Sequence, residues 1–276
     1  MPKIKKKVKV SKKKITKKVV KEKVVSEPKT IFDIKPILPK RKRAGSQERI
    51  SSGVPGLDPL IQNGFKQGSI NLVEGGPGSG KTIFATQFLM EGLKKGEPVA
   101  YITFEVIKEK FFENMLLFGW DLEKYEKSGL FTFLAYSPEQ IKKVLLEGGG
   151  TLDTLVHQKG IKRIAFDSIT SFALLYATEL AKKEAALTLF NVINSWDCTA
   201  ILTAQDEGGA DRKKIVSTTL DFEVDGILLL YHMRKGNIRK RGLEILKMRG
   251  TKTPNKVFAL ELTKKGMNVK HSTLKI

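Results

Sequence analysis

Residues 75–82 read GGPGSGKT, preceded by the apolar run Ile70, Asn71, Leu72, Val73 and followed by a helix-like stretch over 83–93. The spacing satisfies G-x-x-x-x-G-K-[ST] between a strand and a helix, the context in which that pattern means a phosphate-cradling P-loop. Gly75, Gly76, Gly78 and Gly80 let successive backbone N–H groups turn inward, making a concave nest of donors at a helix N-terminus. Gly75, Gly76, Pro77, Gly78, Ser79, Gly80, Lys81, Thr82 and Ile83 are therefore the expected nucleotide-binding residues. Lys81 would meet the outer phosphates as a point charge, and the Thr82 hydroxyl would take one position on a Mg²⁺ that keeps most of its waters. ATP and Mg²⁺ are the expected ligands.

Outward from this loop the chain alternates strand and helix patterns. Buried-strand runs are predicted at 98–104, 130–135, 163–166 and 199–204, and helix-period stretches at 108–118, 138–146, 152–158 and 179–196. Beyond residue 224 the pattern changes to four antiparallel strands, at 224–233, 242–249, 256–262 and 267–270, with turns at Gly236 and Gly266. The fold class is thus α/β, a mainly parallel central sheet flanked by helices with antiparallel strands at the C-terminal end.

Open α/β sheets bind ligands at the carboxyl ends of their parallel strands. Asp167 ends the run Ile164, Ala165, Phe166 in the form of a Walker B strand and is the expected second Mg²⁺ ligand. Glu105 ends a neighbouring strand, where a carboxylate can orient and deprotonate an attacking water. Gln205 ends a third and could bond a γ-phosphate, reporting its loss to the polar loop 206–214. Lys247 and Arg249 are two apart in a strand, so they should point together while Leu246 and Met248 face the core. Such a pair suits a reach across a subunit boundary to a neighbour's γ-phosphate. His157 and His271 have no metal-like companions and are expected on the surface.

Charge divides the chain. Residues 1–49 hold 19 Lys and Arg against 4 Asp and Glu, while the other 227 residues hold 31 against 25. Residues 1–47 are therefore expected to form a basic, largely disordered arm, too poor in apolar side chains to offset its ordering entropy and suited to sequence-independent nucleic-acid tethering. Residues 48–276 form the expected globular domain. Within the arm, residues 31–39 (IFDIKPILP) are the one docking candidate, because two prolines favour an extended strand. The single Cys198 cannot form an intramolecular disulfide, no apolar run approaches the ~20 residues of a membrane span, and lysines break up any signal peptide. A cytoplasmic location without membrane attachment is expected.

The runs GVPGLDPLI, GGPGSGKT, AYITFE, FGWDLEKYEKSGLF, RIAFDSITS and LEILKMRGT together resemble the KaiC-like branch of the RecA superfamily, which also holds relatives of the RadA type. The resemblance spans residues 48–270. It implies a RecA-type P-loop NTPase core that binds ATP and Mg²⁺ at the subunit interfaces of a ring or filament, commonly a hexamer. It also implies roles for Glu105 as catalytic glutamate, Asp167 as Walker B aspartate, and Lys247 and Arg249 as the trans-acting pair. Where KaiC-type proteins usually carry two adjacent glutamates, this chain has Glu105 then Val106. Two further readings follow: a slowly hydrolysing ATP-gated switch or scaffold, and a RadA-like recombination mediator on DNA.

Overall fold

The computed structural model describes residues 48–205 and 223–274. The basic arm with its 31–39 segment, and the loop 206–214 after Gln205, lie outside the described residues.

Nine strands form the main sheet. They are β3 (Ile70–Gly75), β4 (Val99–Thr103), β5 (Phe131–Ala135), β6 (Arg163–Asp167), β7 (Thr199–Gln205), β8 (Gly226–Lys235), β9 (Ile238–Met248), β10 (Phe258–Thr263) and β11 (Gly266–Thr273). A small antiparallel pair, β1 (Arg49–Ile50) with β2 (Phe65–Lys66), precedes them. The helices are α1 (Lys81–Lys94), α2 (Lys108–Leu116), α3 (Leu122–Lys127), α4 (Pro138–Leu146), α5 (Gly150–Lys159), α6 (Ile169–Ala173) and α7 (Glu179–Ser195).

The spatial order is β11-β10-β9-β8-β3-β7-β6-β4-β5. Every pairing from β8 to β5 is parallel, and those among β8, β9, β10 and β11 are antiparallel. The central strands are continuous apolar runs because helices cover both faces. Successive residues alternate between two cores. Val73, Tyr101, Ala165, Ile201 and Leu228 meet Phe84 and Phe88 of α1 and Phe111 of α2 on one face. Leu72, Ile102, Ile164, Leu202 and Leu229 meet Val144 of α4, Val156 of α5 and Ile193 of α7 on the other.

One buried charge ties the entry segment to this frame. Arg163 is fully buried at the start of β6, its Nε 2.5 Å from Glu97 Oε2 and its Nη1 donating to the carbonyls of Ser51 (2.7 Å) and Phe88 (3.2 Å).

Two expectations need correction. Helix α2 stops at Leu116 rather than 118, because Gly119 turns the chain at φ +74. In β9 a bulge changes the alternation: Ile227 pairs with Lys247 but Leu228 pairs with Ile245, leaving Leu246 as the extra residue. Leu246 therefore packs on the α7 side and Met248 on the α1 side, not on one common face. Arg249 lies past the strand end.

Candidate active site

The strand order puts β7 between the P-loop strand β3 and the Asp167 strand β6. Register aligns their ends: Gly75 pairs with Gln205, and Thr103 with Asp167. The carboxyl edge thus brings Gln205, Asp167 and, two residues past β4, Glu105 to the side where the loop opens.

In the loop, Gly78 (φ +71) and Gly80 (φ +107) adopt left-handed backbone that a side chain resists, and Gly80 leads directly into α1. A Cβ on Gly76 would meet nothing within 4 Å, so this face of the loop is open. Lys81 Nζ donates to the carbonyls of Gly75 (2.7 Å) and Gly76 (3.2 Å), which holds the ammonium at the loop mouth. Ser79 Oγ is buried with no hydrogen-bond partner, while Pro77 is exposed and Ile83 packs against the α1-side core.

Thr82 Oγ1 donates to Asp167 Oδ2 at 2.7 Å. Asp167 is only 6% exposed and its other contacts come from strand side chains. The Tyr101 phenol donates to Oδ2 at 2.5 Å, and Thr203 Oγ1 donates to Oδ1. Burial, followed by the Asp167 charge and its hydrogen bond, pushes the Tyr101 phenol well above its ordinary 10, so it stays a donor. Phe111 stacks on Tyr101 with ring centroids 4.2 Å apart and fixes it from behind.

A hydroxyl and one carboxylate converging beside a donor-lined loop fit a triphosphate with Mg²⁺, an ion that takes few protein ligands. Among the described residues no cluster of three or more His, Cys, Asp or Glu could hold a metal on its own, and His157 and His271 are both exposed.

Helix α6 supplies two hydroxyls to this edge. Ser171 Oγ donates to Glu105 Oε1, and Thr170 Oγ1 accepts from the Gln205 N–H at 2.7 Å. Glu105 itself is exposed, and the following Val106 packs into the α1-side core.

Lys247 and Arg249 are elsewhere. Strand β9 runs antiparallel to β8, so its C-terminal end lies level with the start of β3: Gly226 pairs with both Met248 and Asn71. Leu243 is the β9 residue level with Gly75, and Lys247, beyond the bulge, is level with Leu72, three positions or roughly 10 Å back along the sheet from the loop edge. Arg249 is exposed, its N–H donates to the Asp225 carbonyl at 2.7 Å, and its guanidinium stands 3.8 Å from the Asp225 carboxylate. The two cations therefore do not meet the phosphate loop of their own subunit.

The loop instead has neighbours that the sequence reading did not single out. Arg241 reaches the Gly78 carbonyl at 3.3–3.4 Å, and the His232 ring lies where a Gly78 side chain would contact it. Tyr101, Thr203, Thr170 and Ser171 were also missed. Their only sequence signal is a polar atom inside or just past an apolar strand run.

A family model described as "ATPase: KaiC" matches residues 50–273. The UPF0273 protein PF1931 of Pyrococcus furiosus is 32% identical over 235 residues, which are 80% of this chain and 93% of that protein. Circadian clock protein KaiC3 of Synechocystis is 31% identical over 213 residues, 74% of this chain but 42% of that longer protein. The crystal structure of the KaiC-like protein PH0186 from Pyrococcus horikoshii superposes with a TM-score of 0.71 at 32% identity, over 82% of this chain and 100% of that one. The family match spans the phosphate loop and all the strand ends described above, and on it the chain belongs to the KaiC family of P-loop ATPases.

Proposed function

We propose that residues 48–276 bind ATP with Mg²⁺ and hydrolyse it, and that the 1–47 arm tethers the assembly to nucleic acid. The observation that carries this is the Thr82–Asp167 contact at 2.7 Å beside an open glycine loop. Backbone N–H groups of the loop and Lys81 would hold the phosphates, while Thr82 and Asp167 would hold the metal. Bound there, Mg²⁺ would neutralise charge on the phosphate oxygens. Tyr101 and Thr203 hold Asp167 in place through their hydrogen bonds. Glu105 orients a water and takes its proton as the water oxygen bonds the γ-phosphorus and the bond to ADP breaks. Gln205, level with Gly75 at the end of β7, would sense the γ-phosphate.

Lys247 and Arg249 act on a neighbouring subunit's nucleotide in a ring, most simply a hexamer. Their place at the far edge of the sheet supports action in trans and gives them no part in their own subunit's site. A cytoplasmic location fits this reading; no helix among the described residues is long and apolar enough to cross a membrane.

Steady-state ATP turnover tests the reading. Lys81→Ala should abolish it, and so should Lys247→Ala/Arg249→Ala. Mixing the two inactive proteins should restore turnover, because some interfaces then pair an intact loop with an intact cation pair. Wild-type turnover by Lys81→Ala would end the reading.

A second reading is an ATP-gated scaffold with slow hydrolysis, favoured by Val106 standing in the core beside a single catalytic glutamate. Single-turnover hydrolysis separates the two, since the scaffold should retain ATP far longer than its assembly persists.

A further inference from the structure

Strands β8 and β9 outrun their neighbours. β3 pairs with β8 only as far as Leu230, and β10 pairs with β9 only as far as Arg241. From Met233 to Lys235, opposite Ile238 to Lys240, the β8–β9 hairpin is a two-stranded ribbon whose tip stands roughly 16 Å beyond the end of β3.

Its charge is one-sided. Residues 232–242 contain Arg234, Lys235, Arg239, Lys240, Arg241 and His232, and no Asp or Glu. Residues 50–276 carry 31 Lys and Arg against 25 Asp and Glu, an excess of six, and five of that excess lie in this ribbon. The rest of the globular domain is close to neutral, so the ribbon is where its field is concentrated.

Three of the five cations, Arg234, Arg239 and Arg241, share a face. Cross-strand partners share a face, and so do residues two apart. Arg234 pairs with Arg239, and His232 with Arg241, on the face that continues Leu230 and Leu243 toward Gly78. Like charges placed opposite each other on an exposed pair disfavour the ribbon by themselves. An arrangement of this kind is explained by an anion lying along it. Arg234 and Arg239 are exposed, and at the tip Ile238 is 64% exposed, an apolar contact at the end of a cationic finger.

We infer that this ribbon is a DNA-docking surface, contacting the phosphate backbone of a duplex. A major groove admits an unflanked two-stranded ribbon, and guanidinium forks match phosphate oxygens. Contact here is separate from the arm, so the chain would grip one duplex at two places and gain effective concentration from the linkage. The inference does not require hydrolysis.

The test uses the full chain and a labelled duplex of about 20 base pairs, followed by fluorescence anisotropy between 50 and 300 mM KCl. Arg234→Gln/Arg239→Gln removes the outer pair and leaves Arg241 and the phosphate loop intact. Duplex affinity should fall roughly ten- to a hundredfold at 50 mM KCl, and the log–log salt slope should drop by about 1.8, two phosphate contacts at 0.9 each. Unchanged affinity and slope would overturn the inference. So would a loss confined to poly-L-glutamate, which would make the ribbon a docking site for an acidic protein. Binding of a fluorescent ATP analogue and the thermal midpoint are measured alongside. Both should match wild type, and intact nucleotide binding with lost duplex binding separates this surface from the ATP site. Ile238→Ala is the second variant, expected to weaken duplex binding with no change in the salt slope.

Discussion

Thr82 and Asp167 are 85 residues apart in sequence, and their side chains meet at 2.7 Å across the end of an intervening strand. Thr82→Ala removes the hydroxyl from this contact while leaving the loop backbone unchanged. Turnover at saturating Mg²⁺ and ATP should fall by about 10² or more, whereas metal-free nucleotide binding should stay within a few-fold of wild type. Equal losses with and without Mg²⁺ would show that Thr82 serves the loop and not the metal.

Tyr101→Phe keeps the ring stacked on Phe111 and deletes one donor to Asp167. Turnover should fall about tenfold, with stability changed by about 1 kcal/mol. Because the phenol is held well above 10 in the fold and ionises near 10 once unfolded, folding retains a proton there. Its contribution to stability is complete below about pH 10 and declines as pH rises beyond it, so wild type should lose stability on the alkaline limb. In Tyr101→Phe that limb should be shallower by up to ~1.4 kcal/mol per pH unit, read from urea titrations at pH 10 to 11.5.

Ser171 donates to Glu105 from the first turns of α6, so it acts on the water through another residue. Glu105→Gln should slow single-turnover hydrolysis by about 10² or more with nucleotide affinity retained. Ser171→Ala should lower kcat several-fold with little change in KM, and Ser171→Thr should restore it. A fall in KM-linked terms alone would remove Ser171 from the positioning of Glu105.

Arg163 and Glu97 form a pair in which one partner has no access to water. Arg163→Ala should destabilise the domain by ~3–5 kcal/mol, since it empties a large buried volume and frees the Ser51 and Phe88 carbonyls. Gly92→Ala should cost stability through the same group, because its Cβ would lie 2.7 Å from Arg163 Cδ. Urea midpoints measure both; a neutral Arg163→Ala would mean that its carbonyl partners find water at no cost.

Cys198, just before β7, is 2% exposed, and burial pushes its thiol up to about 12. The native protein should therefore resist thiol reagents at pH 8 and react fully in denaturant. Rapid native labelling would show that β7 opens locally.

The P-loop was legible because its glycines, lysine and threonine act through neighbouring backbone, so one short stretch holds the whole device. Asp167, Glu105 and Gln205 were legible because a buried parallel strand is an unbroken apolar run whose end is marked by the first polar side chain. Strand order was not legible. That β7 separates β3 from β6, so that Tyr101, Thr203 and α6 hydroxyls close around the site, depends on pairing between segments as far apart as Ile70 and Ala200. The bulge at Leu246 was invisible for a related reason: register is set by the partner strand, and one extra residue exchanges the two faces. The ribbon shows the same division. The sequence alone determines that its cations are concentrated between residues 232 and 242, but only the register of β8 with β9 puts Arg234, Arg239 and Arg241 on one face beside the phosphate loop, and only the point where pairing with β3 and β10 stops leaves the hairpin tip unflanked.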